Sequence, residues 1–376
     1  MKSKIIFQLW MLILTTIFFT SCKRERQTFC GGDNIITTTT KVFATGLNNP
    51  RGLKFGPDGY LYVAEGGVGG THSSTGCDQV IPPVGPYTGD VNGSRISRIN
   101  QSGTRTTAAE HLPSSMSVMG DISGVGDVAF IGNTLYAVIT GAGCSHGVPS
   151  IPNSLIKINA DRSWTQVADL SNYLKHHPVA QPEEDDFEPD GSWYSLSSDG
   201  NEFYAIEANH GELDKISLNG TITRIIDISA TQGHIVPTVH TMRNGNFYVG
   251  NLNTFPVPPG GSSVYKISRT GQITTYATGF SMILGIAFDR IGALYVLETT
   301  TNSPFPNPGS GDIVRIDPWG SRQVIATGLT FPTGMTFGPD GKIYVSNNGF
   351  GFPPGGGQVL QITINCDAIS ENIKLK

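Results

Sequence analysis

One unit recurs along the chain and restricts the fold more than any other feature. It reads PRGLKFGPDGYLYVAE from Pro50, PTGMTFGPDGKIYVSNN from Pro332 and ILGIAFDRIGALYVLET from Ile283, two short apolar runs about a Gly-containing turn. Weaker copies start at Gly124, Gly191 and Val236, which makes six. A third run follows each pair: SRISRIN at Ser94, SLIKIN at Ser154, ELDKIS at Glu212, SVYKIS at Ser263, DIVRID at Asp312 and QVLQIT at Gln358. A fourth follows five of them, over Thr104 to Ala109, Trp164 to Ala168, Thr221 to Ile228, Gln272 to Ala277 and Arg322 to Ala326. Alternating apolar residues over four to eight positions, bounded by Gly, Asp and Asn, signal strands. Four strands per unit of about 40 to 50 residues predict an all-β, six-bladed β-propeller with four-stranded blades.

The sixth unit lacks a fourth strand at its own end of the chain. KVFAT from Lys41, before GLNNP, copies VIAT from Val324, before GLTFP, so the N-terminal strand is expected to complete the last blade and close the ring. Closure removes the free sheet edges that would template aggregation. Pairing Lys41–Thr45 with Gln358–Thr363 brings Cys366 near the approach from Cys30, and these two are expected to bond. Cys77 and Cys144 fall in corresponding loops of blades one and two and form the other expected pair; of the five cysteines, the four left when Cys22 is set aside are an even number, the usual sign of disulfides in an exported chain.

Export is read from the leader. Lys2 and Lys4 precede an apolar run from Ile5 to Phe19, too short for the roughly 18 to 20 residues of a spanning helix, then Thr20, Ser21 and Cys22. Phe19-Thr20-Ser21-Cys22 resembles a bacterial lipobox, with Phe19 in place of the usual Leu, so Cys22 is the expected lipidation site. The resulting division is a signal peptide over 1–21, a lipidated stalk over 22–40, the propeller over 41–366 and a tail over 367–376. The expected location is the membrane of the bacterial envelope, on the periplasmic side or at the cell surface.

Of the 25 Lys and Arg residues, removal of the leader leaves 23 against 30 acids, a net charge of about −7. Without a basic cluster to offset it, this balance argues against a nucleic-acid partner. A monomer is expected.

Turns after first and third strands are tight. The links after second and fourth strands include long segments: Glu65 to Gly93, Thr140 to Asn153, Asp169 to Asp190, Asn251 to Ser262, Glu298 to Gly311 and Asn347 to Gly357. Long loops gathered on one side of a rigid scaffold are where recognition resides. The second strands exit on that side at Glu65, Glu207, Asn209, His210, Asn251, Glu298, Asn347 and Asn348, which this reading places around the channel mouth as binding residues.

Such an oxygen-rich ring suits Ca²⁺. The competing and favoured reading is that polar residues at strand ends satisfy local backbone groups. His72, His146 and His210 also map to the long-loop face without a zinc spacing, and Glu183 to Asp186 form an acidic run that reads as a solvated loop or a cation site. FPVPPGGS at Phe255, SPFPNPGSG at Ser303 and FGFPPGGG at Phe350 put aromatic rings on the same face, as stacking platforms or as lids packed on one another.

GLNNPRGLKFGPDGYLYVAE, FEPDGSWYSL, EANHGELDKIS, VPTVHTMRNGNFYVGNLNTFPVPPGGSSVYKIS and GLTFPTGMTFGPDGKIYVSNNGFG resemble the ScyD/ScyE family, named for the gene cluster of the cyanobacterial pigment scytonemin and related to NHL-repeat propellers. The resemblance runs from Val42 to Ile364. It implies an exported propeller and supplies no catalytic set; the leader and stalk argue against a pigment enzyme. Two readings of function remain. The first is a membrane-anchored binding or scaffolding module whose long-loop face takes a small molecule, a glycan or an envelope protein. The second is a calcium-dependent lactonase or esterase-like hydrolase with its cation at the channel mouth. A quinone-dependent sugar dehydrogenase is a more remote third, since its cofactor motifs are not evident.

Overall fold

The computed structural model describes residues 35–182, 187–301 and 305–367. Six antiparallel sheets carry the six repeats, each with its first repeat strand at one edge and its fourth toward the other. Blade two is typical, with strands Val125–Ile131, Thr134–Ile139, Ser154–Ile158 and Trp164–Asp169. Blades three, four and five begin at Trp193, Pro237 and Ile283 and end their fourth strands at Asp227, Phe280 and Leu329.

Blade six is built from both ends of the chain. Gly334–Phe337, Ile343–Asn347 and Gly357–Asp367 are joined by Ile35–Leu47, with Lys41 opposite Gln361 and Thr45 opposite Gln358, so the N-terminal strand closes the ring. This strand starts six residues earlier than the sequence reading placed the propeller boundary. Residues Ile35–Thr40, read as stalk, pair with Ile362–Asp367 and lengthen the closure into a two-stranded ribbon. Backbone groups there find partners by extending the ladder, although the Thr37–Thr40 run has no apolar alternation.

Blade one departs most from its repeat. The segment from Glu65 to Gly93, read as loop, contains a short strand at His72–Ser73 and the start of a long third strand, Thr88–Ile99, which pairs with Arg105–Met116. The hairpin rises beyond the blade on the long-loop side. Between blades two and three the link contains a helix, Leu170–His176, whose N-terminus is capped by Asp169 accepting from the Asn172 N–H at 2.8 Å. No helix among the described residues is long and apolar enough to cross a membrane.

The core lies between blades rather than in one central mass. Ala129, Tyr136, Val138 and Leu155 of blade two pack on Trp193, Leu196 and Phe203 of blade three, and comparable clusters fill other seams. Burial of each such side chain contributes about 1.5–3 kcal/mol. Polar ties fix the innermost strands across these seams. The Thr333 hydroxyl of blade six donates to the Pro50 carbonyl of blade one at 2.5 Å, Thr238 of blade four does the same to Ile283 of blade five, and Asp127 of blade two accepts from the Leu196 N–H of blade three at 2.9 Å. Gly52 admits this close approach, because a Cβ there would lie 2.0 Å from Asp127 Oδ1.

Candidate functional site

The strand exits expected to ring the channel mouth serve another purpose. Glu65 accepts from the Asn48 N–H at 2.6 Å, from Arg95 Nε at 2.9 Å and from the Ser97 hydroxyl. Glu207 takes the N–H groups of Ser192, Asn209, His210 and Gly211. Glu298 accepts from the Ser281 N–H at 2.5 Å, Asn347 from the Thr330 N–H at 2.9 Å, and Asn251 from the Ser263 N–H at 2.7 Å. All five are buried.

In all five of these blades the side chain turns back to tie down the segment leading into its own blade; Asn251 does so by donating to the Ile235 carbonyl at 2.8 Å while its Oδ1 holds the start of the third strand. The expected ring of Glu65, Glu207, Asn251, Glu298 and Asn347 therefore does not form. Side chains alternate along a strand, and the next residue in blades three, four and five, Ala208, Leu252 and Thr299, is the one that faces the mouth. Of the predicted set only Asn209 lines the cavity there, its Oδ1 also accepting from the Glu188 N–H at 2.8 Å. His210 is buried behind it, its Nε2 at 3.0 Å from the Glu188 carbonyl, and burial lowers its pKa so that the ring is neutral and donates.

The cavity itself, about 160 Å³, opens at the long-loop end of the channel. One wall is polar. Arg51, buried in the first strand of blade one, donates to Asp121 Oδ1 at 2.7 Å, to the Ile122 carbonyl and to the Tyr194 hydroxyl at 3.3 Å. Burial works against its charge, but the Tyr194 and Asp121 oxygens raise its pKa above the ordinary arginine value. Burial also raises Tyr194, keeping it a phenol that accepts from Arg51 and retains its own O–H to donate. Beside them Tyr87 donates to Glu188 Oε1 at 3.2 Å and stacks on His146 at 4.4 Å between ring centres. His146 contacts the Ser115 hydroxyl at 2.9 Å and stands 3.6 Å from Glu188 Oε2. Glu188 thus joins two of the three histidines on this face, while His72 remains apart, its Nδ1 at 3.1 Å from the Gly89 carbonyl.

The opposite wall is apolar. Phe255, Phe305 and Phe350, one from each proline-rich loop, line the cavity with Leu252, Met282 and Leu284. Phe305 lies 5.4 Å from Phe255 and 5.2 Å from Phe350 between ring centres, so the rings pack on one another and still present a surface to the cavity. The acidic run Glu183 to Asp186 lies outside the described residues.

The sulfurs of Cys77 and Cys144 are at bonding distance, with Cα atoms 5.5 Å apart, and this pair joins the raised hairpin of blade one to blade two. Cys22 lies outside the described residues, as does Cys30, expected to bond Cys366; Cys366 itself stands opposite Ile36 in the closing ribbon. Among the described residues no group of three or more His, Cys, Asp and Glu side chains could hold a metal ion. With the three strand-exit glutamates already receiving backbone N–H groups inside their blades, the described residues do not form a Ca²⁺ site at the mouth.

Sequence reasoning missed Arg51, Asp121, Tyr87 and Tyr194. For Arg51 and Tyr194 the signal was available once the repeats are aligned on Pro50, Val125, Trp193, Pro237, Ile283 and Pro332, since the following position then reads Arg51, Gly126, Tyr194, Thr238, Leu284 and Thr333, the innermost ring of the propeller; Asp121 and Tyr87 lie outside it. All but the glycine line the cavity.

No protein-family model matches the chain, and no curated protein does. Solved structures do. A protein of unknown function from Bacteroides thetaiotaomicron is 11% identical, over 88% of this chain and 77% of its own, with a TM-score of 0.54. A Thermus thermophilus protein described as an oxidoreductase (glucose dehydrogenase) is 15% identical over 87% and 100%, with a TM-score of 0.56. A gluconolactonase from Xanthomonas campestris is 9% identical over 87% and 90%, with a TM-score of 0.53. At such identities the likeness is one of fold, the six-bladed β-propeller.

Proposed function

We propose that this chain is an exported, lipid-anchored propeller of the ScyD/ScyE kind that binds a small molecule in its channel mouth and holds it at the cell envelope. The observation that carries the reading is the division of the cavity wall, with Arg51, Asp121 and the Tyr194 O–H on one side and Phe255, Phe305 and Phe350 on the other. Apolar walls with a few placed polar groups are what small-molecule sites have in common. The occupant that suits this wall has an apolar, ring-bearing body and one oxygen-bearing end that accepts from Tyr194. Anchoring at Cys22 and disulfides at Cys77–Cys144 and Cys30–Cys366 belong to the same reading, as befits a domain working outside the cytoplasm.

The test is native mass spectrometry of the full-length protein, extracted with its lipid from its own envelope without chelator. A retained small molecule is expected, and Leu284→Trp, which fills the apolar wall, is expected to displace it while the circular dichroism of the folded propeller is unchanged. An empty protein that hydrolyses gluconolactone or an aryl ester, with activity abolished by chelator, would replace the reading by the calcium-dependent hydrolase, to which the gluconolactonase fold lends the same general support.

A further inference from the structure

We propose that the tight-turn rim of blade five is a membrane-contact surface, with the Trp319 indole set in the headgroup layer of the bilayer. The proposal rests on the reading of Cys22 as a lipid anchor. Strand direction supplies the first argument. First strands run from the cavity to the tight turns, so fourth strands begin at the tight-turn rim, and Ile35–Leu47 is a fourth strand. The chain therefore enters the propeller from the side opposite the cavity. Twelve residues lie between Cys22 and Ile35, and the thirteen steps from one to the other can span at most about 45 Å, so a lipid on Cys22 keeps this rim close to the bilayer.

The second argument is where the closing ribbon lies. It runs past the end of blade six onto blade five, with the Thr38 hydroxyl donating to the Ile325 carbonyl at 2.5 Å and Gln323 Nε2 to the Ile36 carbonyl at 3.2 Å. Four residues before Gln323, on the turn that opens that same outer strand, stands Trp319, 73% exposed and the most exposed large apolar side chain among the described residues.

The third argument comes from comparing the turns. Between third and fourth strands, blades one to five have Ser102, Asp161, Asn219, Thr270 and Trp319 at the same place, each followed by a residue of positive φ. In blade five Asp317 braces the turn by accepting the N–H groups of Trp319 and Ser321 at 2.9 and 2.8 Å. The turn is thus closed by its aspartate, and a small polar residue serves in the other four blades. Nothing in the turn geometry calls for an indole. On the neighbouring tight turn of the same blade Arg290 is exposed and makes no ion pair among the described residues. An exposed indole and an exposed arginine on the two tight turns of one rim are the residue types that settle at a bilayer interface bearing anionic headgroups.

The full-length lipidated protein reconstituted in phosphatidylethanolamine and phosphatidylglycerol vesicles tests this. Flotation with the vesicles, lost in Cys22→Ser, establishes the anchor. Bromine-labelled lipid is then expected to quench a component of the tryptophan emission that is absent in Trp319→Phe, leaving only Trp164 and Trp193. A tryptophan placed on the cavity side, Phe255→Trp in the Trp319→Phe background, is expected to escape the lipid quencher and to be quenched by aqueous iodide. A protein that floats while Trp319 is untouched by brominated lipid overturns the contact surface and leaves the anchor standing. A protein that does not float overturns both.

Discussion

Replacement of Asp312 by asparagine tests whether buried carboxyl pairs set the pH range of this propeller. Asp312 opens the third strand of blade five directly across from Glu298, and the two carboxyls are close enough to share a hydrogen. Burial, and then the neighbouring Glu298, raise the Asp312 pKa to about 8. An unfolded aspartate titrates near 3.9, so the folded protein holds a proton that the unfolded chain has lost. The stabilisation is complete below about pH 4 and is lost as pH rises through 8. Taken at face value the gap corresponds to about 5–6 kcal/mol, and solvent screening of this partly exposed group reduces it to roughly 2–3 kcal/mol.

Asparagine keeps a donor for Glu298 and cannot ionise. Urea unfolding of wild type and Asp312→Asn between pH 5.5 and pH 9 should show the variant gaining on the wild type by about 1–2 kcal/mol across that interval, the part of the window it covers. A difference that is flat with pH, or that falls, would refute the shared-proton reading.

Two further substitutions probe the scaffold. Glu207→Ala removes the acceptor of four backbone N–H groups and should cost about 2–5 kcal/mol in urea unfolding, whereas Glu207→Gln, whose amide oxygen still accepts, should cost clearly less. Cys144→Ser should lower stability by about 2–4 kcal/mol under oxidising conditions and by nothing in reductant, since Cys77 and Cys144 close a loop of 67 residues; equal loss in both would remove the disulfide from the account.

The ring was legible because each repeat solves the same local problem. Consecutive apolar residues, as in LYV from Leu61 and IYV from Ile343, give a strand a buried side for each neighbouring blade, and Gly59 and Gly341, both at positive φ, close the first turn. The closing strand was legible for the same reason, as a displaced fourth copy. Its extra residues from Ile35 to Thr40 were not, because they are strand only through pairing with Ile362–Asp367, and of Ile36 to Thr40 only Ile36 is buried. Repetition is equally silent on the raised hairpin of blade one, which has no counterpart elsewhere in the chain.

The candidate site was misplaced by one residue, and in a β-strand one residue is the whole difference. Reading Glu207 rather than Ala208 as the face of the mouth assigns to the channel a carboxylate that belongs to the blade. The polarity of the strand exits was real, but it answers to the N–H groups of Ser192, Ser281, Thr330 and Asn48 at the foot of each first strand, which must be satisfied wherever the chain steps from one blade to the next. A requirement met the same way in five of the six blades repeats through the sequence, whereas a binding wall need not. Arg51, Tyr194 and Leu284 share one repeat position and have unrelated chemistry, and the place where the blades cease to resemble one another is where the cavity acquires its polar and its apolar side.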